Sequence, residues 1–166
     1  YYTTVLAADE RVLQQARAFH YGYWRRGIRH TRQVSACADG RWLVEDELSF
    51  LRWMPWARRA REFRLHWLLP DWEWEIESSE ERIEIGLASP HGKMALVVRV
   101  DPPVSNLHSL FSIVRAGEYV HGSGDPDPVR GWVAPTYGIK EPALSLAINV
   151  RSAKNAKFTT EFRFPQ

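Results

Sequence analysis

The feature that most limits what this chain can become is a pattern of period two. In residues 29–36, His30, Arg32, Val34 and Ala36 fall on one side, and Arg29, Thr31, Gln33 and Ser35 on the other. Residues 42–48 repeat it, with Trp42, Val44 and Asp46 set against Leu43, Glu45 and Glu47. Residues 72–77 alternate strictly, Trp72, Trp74 and Ile76 against Glu73, Glu75 and Glu77. Residues 82–87 do so again, and residues 157–164 close the chain with Phe158, Thr160, Phe162 and Phe164 on one face. A side-chain period of two belongs to an extended strand, and a strand with one apolar face needs a second layer to cover it.

Turn signals punctuate these runs. Ala38-Asp39-Gly40-Arg41 is of the Asp-Gly kind that closes hairpins, and it joins the two clearest strands. Ser78-Ser79-Glu80-Glu81, Pro90-His91-Gly92-Lys93, Asp101-Pro102-Pro103 and residues 152–155 serve in the same way. Residues 121–128, with two glycines and two prolines, form a polar loop. Residues 110–119 read as one strand. Residues 1–20 read as strand as well, because Arg17, Phe19 and Tyr21 alternate although 12–18 holds good helix formers. Residues 49–61 break the pattern and read as a long aromatic loop, with a helical turn as a variant. The sum is an all-β chain, an antiparallel β-sandwich with little or no helix, spanning 1–166 as a single domain.

Composition narrows the functional classes. The chain has 166 residues, enough for a core without covalent staples, and 45% of them are hydrophobic. A formal net charge of +2 carries no nucleic-acid footprint. The single cysteine, Cys37, has no partner for an internal disulfide. No apolar run is long enough for a membrane-spanning helix, and no secretory leader pattern opens the chain. Because it starts at Tyr1 rather than Met, it reads as a piece of a longer protein.

Three groups of residues are candidates for function. The first is the stretch 130–146, Arg-Gly-Trp-Val-Ala-Pro-Thr-Tyr-Gly-Ile-Lys-Glu-Pro-Ala-Leu-Ser-Leu. Its glycines and prolines restrict it to an ordered connection carrying Arg130, Trp132, Tyr137 and Lys140. Aromatics there either stack on sugar faces or cover the sandwich core, and composition does not separate the two. The second is His30, whose neighbours Arg29 and Arg32 favour a neutral imidazole, the form that binds metal. It is either a ligand or a strand histidine hydrogen-bonded across the sheet, and no spaced cluster of three or four ligands accompanies it. The third is a set of arginines, Arg25, Arg26, Arg52, Arg58, Arg59 and Arg61. They form either a basic surface that attracts acidic polymers or a solvated loop balanced by Glu45, Asp46, Glu47 and Glu62. Of the remaining histidines, His66 reads as a core-edge residue, and His91, His108 and His121 as solvated turn residues. No nucleophile elbow, phosphate loop or metalloprotease helix is present.

Arg130-Gly131-Trp132 followed by Pro135-x-Tyr137-Gly138-x-Lys140-Glu141-Pro142-Ala143 resembles the closing segment of heparinase II/III-like polysaccharide lyases. Tyr21-Gly22-Tyr23, then Arg29-His30-Thr31-Arg32, then the run from Asp39 to Leu48, is similar to the first hairpin of that family's C-terminal sandwich. Leu65-His66-Trp67-Leu68-Leu69-Pro70 resembles the next strand. The resemblance implies a supersandwich-like C-terminal domain of a lyase that cleaves uronic-acid polymers, heparin-like or alginate-like, by β-elimination. It implies an N-terminal helical toroid in the same protein, an acidic polysaccharide as partner, and a periplasmic or secreted setting. It places Arg130, Trp132, Tyr137 and Lys140 toward substrate. Some members hold a zinc in the sandwich, so His30 could contribute to a structural zinc. No catalytic residue of the family is carried onto this chain, which alone is expected to be inactive. The competing class is a carbohydrate-binding or structural sandwich without chemistry.

Overall fold

The computed structural model describes residues 3–5, 11–51, 59–125 and 127–165. Its strands are β1 (Thr3–Val5), β2 (Val12–His20), β3 (Ile28–Cys37), β4 (Trp42–Phe50), β5 (Arg61–Leu69), β6 (Trp74–Ser78), β7 (Arg82–Ser89), β8 (Gly92–Asp101), β9 (Phe111–Arg115), β10 (Glu118–His121), β11 (Trp132–Val133), β12 (Glu141–Pro142), β13 (Leu144–Ser152) and β14 (Ala156–Arg163). The helical content among the described residues is two single-turn 3-10 segments, Trp24–Arg26 and Leu107–Leu110. A large sheet of eight strands runs β1-β2-β3-β4-β14-β8-β7-β6. A small sheet of four runs β10-β9-β13-β5, and β11 pairs with β12 as a separate ribbon. Every pairing is antiparallel.

The period-two reading therefore holds, and the two sheets are its two layers. Ile83, Ile85 and Leu87 of β7, Leu96 and Val98 of β8, and Phe158 of β14 face Phe63 and Leu65 of β5, Leu144, Leu146 and Ile148 of β13, and Phe111 and Ile113 of β9. Each fully buried side chain of this kind contributes about 1.5–3 kcal/mol. β13 is the spine of the small sheet. It pairs with β5 on one side and β9 on the other, and its outward Ser145 and Ala147 are as buried as its inward Leu146.

The hairpin at Asp39-Gly40 forms as its sequence requires. Gly40 takes φ +80°, and the Arg41 amide donates to Asp39 Oδ1. This fixes the register, so that Arg32 stands opposite Asp46 and His30 opposite Leu48. One expectation needs correction. Residues 110–119 are not a single strand. Ala116 at φ +51° and Gly117 at φ +89° turn the chain back, making β9 and β10 a hairpin. The aromatic loop expected at 49–61 falls largely on residues 52–58, outside the described residues.

Eight strands against four leaves the large sheet wider than its partner. β5, the outer strand of the small sheet, lies under β14 and β4: Trp67 meets Phe162 at 5.1 Å between ring centroids, and Phe63 meets Phe50 at 6.2 Å. Beyond β5, no strand among the described residues covers the inner faces of β3 and β2, and β2 is mostly exposed.

Replacing Leu146 by alanine should lower unfolding free energy by about 2–5 kcal/mol in chemical denaturation. Leu13→Ala, at 62% exposure on β2, should change it by less than about 0.5 kcal/mol.

Candidate functional site

The stretch 130–143 is built as an anchored turn. The Gly131 carbonyl accepts from the amides of Ala116 and Ala143, and the Arg130 carbonyl accepts from Gly117. These bonds tie it to the β9–β10 turn and to the start of β13. Gly131 sits at φ +74°, and a Cβ there would meet Val114 O at 2.6 Å and the Ala116 amide at 2.7 Å. Only glycine permits that approach. From this anchor the β11–β12 ribbon projects. The Trp132 indole Nε1 donates to Pro128 O at 3.1 Å, which sets its ring, and Lys140 Nζ lies 4.0 Å from that ring's centroid. Tyr137 at the tip is fully exposed. The ribbon thus offers one free phenol ring and one ammonium resting on an indole face, a cation–π contact of about 0.5–1 kcal/mol at an exposed site.

Arg130 does not join that surface. It is buried, with Nε donating to Ser145 Oγ at 3.1 Å and Nη2 to the Ser145 carbonyl at 3.0 Å. Burial, with Arg64 nearby, lowers its pKa. The Ser145 hydroxyl is also hydrogen-bonded to His66 Nε2 at 2.7 Å. Burial and then Arg130 and Arg64 push His66 below the usual imidazole range. Arg130 is a clamp that holds the turn to β13, and its charge is turned away from any polymer.

His30 stands in a hydrogen-bonded chain. The Gly22 amide donates to His20 Nδ1 at 3.0 Å, so His20 Nε2 carries the proton and donates to His30 Nδ1 at 2.9 Å. His30 Nε2–H then donates to Asp46 Oδ1 at 2.7 Å. Arg32 grips the same carboxylate in a fork, Nε to Oδ1 at 2.7 Å and Nη2 to Oδ2 at 2.9 Å, while its guanidinium stacks 5.1 Å from the Trp67 centroid. Burial raises the pKa of Asp46. The hydrogen bonds from His30 and Arg32 outweigh burial and hold the carboxyl below the usual aspartate range. Both His30 nitrogens are occupied, both Asp46 oxygens are occupied, and no group of three His, Cys, Asp or Glu among the described residues could hold a metal. This chemistry does not fit a zinc site; His30 works as the across-sheet hydrogen-bonded histidine. His20 and Asp46 are its partners, and the sequence pointed to neither.

Three of the four acidic residues expected to balance the arginine run are engaged elsewhere, and Glu62 stays beside Arg61 on β5. Glu45 pairs with Lys157 and accepts from Gln33, Glu47 accepts from Ser49, and Asp46 belongs to Arg32 and His30. His121 also departs from expectation. It ends β10 against Phe111, Trp74 and His108, and burial followed by His108 lowers its pKa.

No family model matches the sequence. No curated protein matches it either. Solved structures do. Heparinase III, the BT4657 gene product, superposes with a TM-score of 0.60 at 16% identity, covering 97% of this chain and 21% of its own. The heparan sulfate lyase HepC from Pedobacter heparinus gives 0.61 at 11% identity over the same shares. A further heparinase III gives 0.61 at 14%. This chain has the fold of a heparinase III β-sandwich. It spans about one fifth of the length of those lyases, and at these identities the likeness is one of fold.

Three outcomes follow from the geometry. Gly131→Ala should destabilise far more than Gly40→Ala, because Gly40 has the same positive φ but open space around it; thermal denaturation of the pair checks this. His30→Ala should cost about 1–3 kcal/mol by leaving buried Asp46 short of a donor, with zinc content by mass spectrometry equal to wild type. Asp46 has a folded pKa below its unfolded value of about 3.9, so its stabilisation is complete above that pH and is lost as pH falls through the lower folded value. Stability measured through that window should fall more steeply in wild type than in Asp46→Asn.

Proposed function

We propose that this chain is the β-sandwich domain of a polysaccharide lyase acting on uronic-acid-containing polymers, and that it supplies architecture and polymer contact. The carrying observation is the fold match over nearly the whole chain to heparinase III and a heparan sulfate lyase. In β-elimination the uronate carboxylate is neutralised, a base removes the C5 proton, and the leaving oxygen takes a proton. The described residues bring no assembled set for those three tasks. The paired carboxylates Asp46 and Glu161 are tied up by arginines, and the His20–His30 chain is closed at both ends. The chemistry belongs to a helical toroid domain of the same protein.

The polymer contact we assign is the β11–β12 ribbon. Tyr137 offers an unencumbered ring for a pyranose face, and Lys140 offers a cation to a uronate within reach of it. Trp132 supports Lys140 from below, and Arg130 fixes the base of the ribbon. The expected roles therefore divide: Tyr137, Lys140 and Trp132 face the polymer, and Arg130 positions them.

The purified chain should produce no unsaturated uronate from heparan sulfate or alginate, monitored by ultraviolet absorbance. Sustained growth of that signal would place the chemistry here and sink the reading. In a full-length lyase carrying this domain, Tyr137→Ala and Lys140→Ala should each weaken polymer affinity by about 1 kcal/mol without shifting Tm. Arg130→Ala should lower Tm. Unchanged affinity in both ribbon variants would remove the binding role.

A further inference from the structure

The overhang of the large sheet creates a second site at the far end of the small one. β5 pairs Leu69 with Leu144 near the ribbon and Arg61 with Ser152 at the other end, roughly 26 Å along the strand. At that far end, a pocket of about 470 Å³ opens between the free edge of β5 and the inner faces of β3 and β4. Tyr23, Arg26, Ile28 and Leu48 line one side, and residues 60–64 line the other. The volume lies within the range of small-ligand sites.

The lining is cationic and its charge is not balanced. Arg26 and Arg61 line it, while Glu62 and Arg64, alternating to the outer face of β5, border it at the strand edge. Arg61 Nε is buried and hydrogen-bonds to nothing, and neither Arg26 nor Arg61 has an ion-pair partner among the described residues. Arg64 reaches Asn149, a neutral group. A buried guanidinium N–H without an acceptor is costly, and an anionic oxygen is the acceptor that best relieves it. The nearby acids of β4 are committed to other cations and donors, as the pairs of Glu45, Asp46 and Glu47 show.

The remaining walls fit a sugar. Ile28 and Leu48 supply an apolar floor, and Tyr23 supplies a half-exposed ring at the mouth. Tyr23 is held there by the histidine chain: its ring lies 5.4 Å from that of His20, and the Gly22 amide is bonded to the same imidazole. Beyond it, Trp24 is half exposed with Arg25 at 5.8 Å over its ring, extending the aromatic and cationic surface.

We propose that this pocket binds one acidic sugar unit, with Tyr23 against the ring and Arg26 and Arg61 on its carboxylate or sulfate. The proposal rests on the polysaccharide reading and adds a contact separate from the β11–β12 ribbon. His20 and His30 act as positioning residues for Tyr23.

The test is calorimetric titration of the chain with three hexasaccharides: sulfated heparan, unsulfated oligogalacturonate and neutral cello-oligosaccharide. Wild type should bind the acidic oligomers and not the neutral one, and the more tightly bound of the two identifies sulfate or carboxylate as the recognised group. The pair Arg26→Gln and Arg61→Gln should weaken that binding at least tenfold with Tm unchanged. Arg61→Lys, which keeps the charge, should recover most of it if Arg61→Gln disturbs folding. Tyr137→Ala should lower affinity separately, and the two effects should multiply. Full affinity in the double arginine variant, or equal binding of the neutral oligomer, overturns the pocket. If the arginine variants bind fully and Tyr137→Ala does not, the ribbon reading stands without it. If no acidic oligomer binds wild type, both fall.

Discussion

The inner face of the large sheet is covered by the small sheet over only part of its width, and most of what is distinctive in this molecule is a response to that. Where the small sheet lies on it, at β7, β8 and β14, the inward positions are Ile, Leu, Val and Phe with almost no exposure. Past the edge of β5, the same inward positions carry Asp46, Arg32, His30 and His20. A carboxylate as buried as Asp46 would be expensive alone. It is tolerated because Arg32 takes both oxygens and His30 takes a third bond, and because Arg32 in turn lies over Trp67 at the rim of the apolar core. The network is the border between core and overhang.

A second buried cation does the equivalent task at the other end. Arg130 crosses the outer face of the small sheet to reach both the side chain and the carbonyl of Ser145. Gly131 then brings the backbone against β9 more closely than any side chain allows. With the base fixed in this way, the ribbon's exposed residues can be ordered although few of them are buried. Two ends of one strand pair thus present different chemistry. One has an exposed ring and an ammonium, and the other has a recess with guanidinium groups that no residue of the described chain neutralises.

The sequence carried the hairpin partners more fully than it carried their purpose. Counting outward from a three-residue loop, Ala38-Asp39-Gly40 with Cys37 opposite Arg41, puts Arg32 opposite Asp46, whereas a two-residue turn at Asp39-Gly40 would have put it opposite Glu47. His20 opposite His30 could not be counted that way, because the connection between β2 and β3 contains a 3-10 turn with Gly27 at φ +71°, not a hairpin signal. The break at Ala116-Gly117 was overlooked because Phe111–Val114 and Tyr119-Val120 flank only four residues, Arg115–Glu118, which form a tight turn. Arg130 looked like a surface charge because it sits among turn residues. Its burial depends on Ser145, fifteen positions later, standing beneath it.

Local pattern therefore determined the strands, most of their turns and the two-layer architecture, since period two and turn chemistry act over a few residues and are written in the chain. It also marked the aromatics and cations of 130–146 and of the arginine run as candidates. Tertiary structure alone decided which of those cations are consumed and which are free. That depends on long-range pairing, on where the narrower sheet ends, and on which carboxylates have already been claimed. Arg130, like Arg32 of β3, was taken into the fold, and Lys140, Arg26 and Arg61 were left to face outward or into a recess, because only packing sets the distance between charges that lie far apart in sequence.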